Sequence, residues 1–95
     1  MSFQVHYLLR SQQDGNYLAA HPNGKEGSGY LLMFREDFEA RSFINTHGAD
    51  MASRFAVEAV PETQLKNLLK RWEFTGVGLV VDPLIPKIEF FSQDG

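Results

Sequence analysis

A chain of 95 residues, 43% hydrophobic and 22% charged, is long enough for one core of its own and too apolar for a disordered segment. Its net charge of -3 argues against nucleic acid as a partner, because gripping a phosphate backbone calls for a basic balance. With no cysteine, disulfides, cysteine–zinc sites, iron–sulfur clusters and thiol nucleophiles are all excluded.

The opening MSFQVHYLLR has no charged leader followed by a long apolar core, so no signal peptide is expected. No apolar run approaches the length of a membrane span, and a soluble cytoplasmic protein without a membrane partner is the expectation. VHYLLR, residues 5–10, is β-branched and aromatic at its start and reads as a strand. Asp14-Gly15-Asn16 is turn chemistry, and YLAA, residues 17–20, reads as the returning strand of a hairpin. HPNGKEGSG, residues 21–29, is a loop by composition. YLLMF, residues 30–34, is continuously apolar, which predicts a central strand covered on both faces and helices to do the covering.

In REDFEARSFINTHG, Ala40, Phe43, Ile44 and His47 fall at i, i+3, i+4 and i+7, one face of a helix. Glu36, Asp37 and Glu39 suit its positive end, and Gly48 is expected to end it in the left-handed conformation. RFAVEAV alternates Phe55, Val57 and Ala59 against Arg54, Ala56 and Glu58, a strand with one wetter face. PETQLKNLLKRWEF is the clearest helix: Pro61 suits its first turn, and Leu65, Leu68, Leu69 and Trp72 form one apolar face. Lys66, Lys70 and Arg71 occupy its solvated side. Residues 77–81 read as a buried strand broken by Asp82-Pro83, and residues 87–91 as the last strand.

FTGVGLVVDP raises the question of a phosphate-binding turn. Such a turn needs a strand before its glycines and a helix after them, and here the order is reversed. Gly76 is therefore expected to end the preceding helix, and Gly78 to allow close approach at the start of a strand. The loop of residues 23–29 has Gly, Lys and Ser but neither a Gly-Lys-Ser/Thr order nor a following helix.

His6, His21 and His47 show no ligand spacing, so no metal site is expected; His6 is read as facing water, and His47 as capping carbonyls or packing. Ser11, Ser28, Ser42, Ser53 and Ser92 lack a nucleophile elbow, and Glu36/Asp37 reads as a dipole complement and not as an acid–base pair. No catalytic residue and no cofactor is expected, and the reading leans away from an enzyme. Trp72, Phe74, Phe90 and Phe91 are the candidate interface, because aromatic surplus favours contact surfaces.

The order of YLLMFREDFEARSFI, VEAVPETQLKNLL and TGVGLVVDP resembles the N-terminal domain of the SseB-like (enhanced serine sensitivity) family over residues 17–91. There a strand ending in Phe enters a helix, and a second helix enters a glycine-containing strand ending in Asn-Pro or Asp-Pro. The chain also resembles a small cyanobacterial family of unknown function, with a similar LMF strand and a downstream Val-Glu pair. These resemblances imply an α+β domain with no assigned catalytic site, and they carry over no functional residue.

The expectation is one α+β domain over residues 1–95, in the order β-β-β-α-β-α-β-β. Its sheet is mixed and mostly antiparallel, of five or six strands, with two helices packed on it. The expected core is Val5, Tyr7, Leu31, Met33, Phe43, Ile44, Val57, Leu65, Leu68, Leu69, Trp72, Leu79, Val81 and Ile88. Functionally it reads as a non-enzymatic interaction or regulatory module with an unidentified protein partner or a second copy of itself. The alternative is a ligand binder or small enzyme with its site near the 23–29 loop.

Overall fold

The five residues of β3 (Tyr30–Phe34) are buried from Leu31 to Phe34, and the fold is built outward from them. The computed structural model of the protein describes residues 4–22, 24 and 29–92. Around β3 lie β1 (Val5–Ser11), the short β2 (Ala19–Ala20), β4 (Phe55–Pro61), β5 (Gly76–Asp82) and β6 (Lys87–Ser92), with helices α1 (Asp37–His47) and α2 (Glu62–Arg71). A 3-10 helix at Ala49–Arg54 links α1 to β4. The sheet runs β4-β1-β3-β5-β6, with β2 added beside β3; only β3 and β5 are parallel. The radius of gyration, 12.6 Å, matches the roughly 12 Å of one compact domain of this length.

The returning strand of the first hairpin is shorter than residues 17–20. The turn closes with Ser11 N–H donating to the Asn16 carbonyl at 2.8 Å, and Tyr17 makes an isolated pairing with Arg10. Leu18 then donates to Leu9 and accepts from Leu32, so this segment is wedged between β1 and β3, which pair directly only at Tyr7 and Phe34.

Side chains alternate across the sheet into two cores. On one face α1 covers Leu9, Leu32, Phe34 and Val80 with Ala40 and Ile44. On the other, α2 covers Leu8, Leu31, Met33, Val60 and Val77 with Leu69, and Phe74 joins them. The largest fully buried side chains are Phe34, Leu8, Leu9, Leu31 and Val80, each contributing roughly 1.5–3 kcal/mol by its removal from water. Of the expected core, Leu31, Met33, Ile44 and Leu69 are buried, and most of the others pack partly buried against the two clusters. Val5 corrects the expectation: at 37% exposure it lies at the sheet's end, opposite Pro61.

Both helix ends depart from the glycine-based expectation. Gly48 does follow α1, but at φ -152° and not in the left-handed region; its amide donates to the Ile44 carbonyl and the chain passes on into the 3-10 helix. Gly76 does not end α2, since it opens β5. The terminator is Glu73 at φ 59°. Its amide donates to Lys70 and the Phe74 amide to Leu69, a Schellman arrangement in which Phe74 and Leu69 share the core. Among the described residues no helix is long and apolar enough to cross a membrane.

Candidate functional site

Leu65, Leu68 and Leu69 hold α2 to its face of the sheet, and this leaves a depression along each flank of the helix. The two flanks differ in chemistry. Toward β6, Leu65, Leu69, Val77 and Phe91 line an apolar groove of about 330 Å3. Toward β4, Gln64, Asn67 and Arg71 border a cleft of about 440 Å3, with Trp72 and Leu68 alongside. The spacing i, i+3, i+7 puts those three polar residues on one side of the helix.

The far wall of the β4-side cleft is a cluster of Arg10, Tyr17 and Glu58, where β1, the hairpin and β4 converge. Leu8 pairs with Glu58, and Arg10 with Ala56, so Arg10 and Glu58 emerge on the same face. Arg10 Nε donates to the Gly15 carbonyl at 2.8 Å, and Nη1 lies 3.4 Å from Glu58 Oε1. The guanidinium sits 4.7 Å from the Tyr17 ring centroid and 5.9 Å from that of Trp72. Tyr17 meets Trp72 edge-on at 5.2 Å, and Trp72 stacks on Phe74 at 6.5 Å. The Tyr17 hydroxyl donates to Glu58 Oε2 at 2.5 Å.

Burial, then the hydrogen bond to Glu58 and that residue's negative charge, push the Tyr17 hydroxyl up from 10.0 to about 12, with Arg10 opposing. A raised folded value favours the neutral phenol. This stability is fully present below about pH 10 and is lost as pH climbs from 10 toward 12. Tyr17→Phe is therefore expected to lose about 1 kcal/mol near neutrality. Its stability should then fall less steeply than that of the native protein across that alkaline window. Urea unfolding at a series of pH values measures both slopes, and equal slopes would refute this account of Tyr17.

At the opposite edge of the sheet, β6 pairs among the described residues with β5 alone. Phe90 lies on the α1 face, across from Gly78 and edge-on to Tyr30 at 5.1 Å. Phe91 points to the α2 face, into the apolar groove. They are 41% and 51% exposed, so neither face of this strand is fully covered. Leu84 and Ile85 are exposed in the turn before β6.

The four candidate interface residues thus divide. Phe90 and Phe91 stand together on the β6 edge, Trp72 is half-buried in the β4-side cleft, and Phe74, at 7% exposure, lies in the core and borders the cleft beside His21. His6 is half-buried, and its Nδ1 is buried without a partner among the described residues, so it does not simply face water. His47 does meet a carbonyl: its Nε2 is 2.8 Å from the Pro83 oxygen, and its ring lies 4.9 Å from Phe43. Among the described residues no three His, Cys, Asp or Glu side chains are placed to hold a metal ion. Of the 23–29 loop, residues 23 and 25–28 lie outside the described residues; neighbouring His21 lines a cleft of about 460 Å3 with Asp14, Asn16 and Tyr17.

Sequence reasoning missed Arg10, Tyr17, Glu58, Gln64 and Asn67. Arg10 and Glu58 are 48 residues apart, and only the strand register joins them. The one local signal was the polar stripe at 64, 67 and 71 beside the leucine face of α2. No family model, curated protein or solved structure matches the chain.

Proposed function

We propose that this chain is a cytoplasmic, non-enzymatic interaction module that pairs with a second copy of itself along the free edge of β6. One observation carries the reading: an edge strand presents two adjacent phenylalanines, one on each face, both about half exposed. Edge strands are commonly guarded by charge or proline, because their free amides and carbonyls invite another strand. In β6 the charges Lys87 and Glu89 sit in the half nearest the turn, and Phe90-Phe91-Ser92 is unguarded.

A two-fold axis normal to the sheet keeps each face on its own side, so residues that meet across it must share a face. Centring on Glu89 sets glutamate against glutamate. Centring on Ile88 forces Pro86 and the turn into the ladder, where proline has no amide to give. Centring on Phe90 avoids both: Phe90 meets Phe90 of the other copy, and Glu89 meets Phe91.

Sedimentation velocity over a concentration series tests the pairing. A concentration-dependent dimer is expected, and Phe90→Lys, which sets two positive charges face to face, should weaken it at least about tenfold. A strict monomer at high concentration, or a dimer indifferent to Phe90→Lys, would overturn the reading.

A further inference from the structure

The cleft between α2 and β4 lies on the other flank of the helix and does not depend on pairing at β6. Gln64, Asn67 and Arg71 face it, and their side chains have no hydrogen-bond or ion-pair partner among the described residues. The geometry points to this cleft as a binding site for a small monocarboxylate with a short apolar body.

Charge selects the anion. Arg10 and Arg71 contribute two positive charges to the cleft and Glu58 one negative, leaving +1 in a chain whose net charge is -3. The Glu58 charge is offset by the Arg10 guanidinium 3.4 Å away, and its other oxygen accepts from the Tyr17 hydroxyl. Arg71 is then the open cation. A guanidinium takes a carboxylate through two parallel N–H donors, and the carboxamides of Gln64 and Asn67, on the same side of the helix, supply further donors.

Size and shape select the rest. A cleft of about 440 Å3 falls in the size range of small-molecule sites. Here Leu68, Val60 and the half-buried Trp72 supply the apolar part. Arg10 and Tyr17 brace the Trp72 ring from one side and Phe74 from another, so this wall is set before any ligand arrives.

Trp72 is the chain's one tryptophan and borders both this cleft and the one beside His21, so its emission reports binding and the Arg71 variants, which alter this cleft and not the other, assign it. The test titrates the full chain with 3-phenylpropionate and, separately, with its uncharged amide. A saturable change in Trp72 emission with the acid is expected, with the amide binding at least about tenfold more weakly, the size of one charge-assisted contact. Arg71→Gln should erase that preference and Arg71→Lys should keep part of it, both with an unchanged thermal midpoint, because residue 71 is exposed. The proposal is overturned by equal affinities for acid and amide, by no saturable response to either, or by a preference that survives in Arg71→Gln.

Discussion

Replacing Phe34 by alanine is expected to remove about 3–5 kcal/mol of unfolding free energy. A domain of this length holds roughly 5–14 kcal/mol in all, so much of the population would unfold on mild heating. Phe34 is fully buried at the end of β3, where it pairs with Tyr7 on one side and Val80 on the other and meets the Phe43 ring at 5.4 Å. Both neighbouring strands and α1 lean on this one ring. Truncation leaves a void that backbone hydrogen-bonded on two sides cannot close. Phe38, four residues on and 63% exposed, supplies the control: Phe38→Ala should stay within about 0.5 kcal/mol. Urea midpoints of the two variants decide the matter, and equal midpoints would show that the α1-side core does not rest on Phe34.

The same pair of residues illustrates what could be read in advance. The order of elements and both helices were legible, because YLLMF and the Leu65-Leu68-Leu69 spacing leave few alternatives. The expected core nevertheless took alternate residues from runs buried on both faces. It named Leu31 and Met33 on the α2 side but passed over Leu9, Leu32, Phe34 and Val80, which face α1, and it missed Leu8 beside Leu31 as well. A strand between two layers has no wet face, so period-two selection discards half of it. The end of α2 was misplaced for a different reason. Glutamate rarely enters the left-handed region, and at Glu73 the shared burial of Phe74 and Leu69 outweighs that reluctance. Of the β4-side cleft only the helix stripe at 64, 67 and 71 was legible: Arg10, Tyr17, Glu58 and Arg71 come from four separate segments, and local periodicity carries no trace of their meeting.

The glycine pair in β5 gives the second large effect, and it connects fold to the proposed pairing. A side-chain carbon at Gly76 would run into the Phe91 carbonyl oxygen and come within 2.8 Å of Ser92 Cα. These are backbone atoms of the neighbouring strand, with no rotamer to swing away. One at Gly78 would meet Ile88 Cγ2 and Leu32 Cδ2 at 3.1 Å and Phe90 Cε1 at 3.2 Å, all of them side-chain atoms able to give a few tenths of an ångström. Gly76→Ala should therefore cost about 1–3 kcal/mol, and Gly78→Ala less. The larger cost falls on one place, since relief at Gly76 requires the Phe90–Ser92 end of β6 to move off β5. Hydrogen exchange should show those amides losing protection in Gly76→Ala while β1, β3 and β4 keep theirs. Because the same residues form the free edge, Gly76→Ala should also abolish the concentration-dependent dimer that Gly78→Ala retains. Undiminished protection across β6 in Gly76→Ala would mean that the strand tolerates the added carbon, and that these glycines do not set how closely the last strand is held.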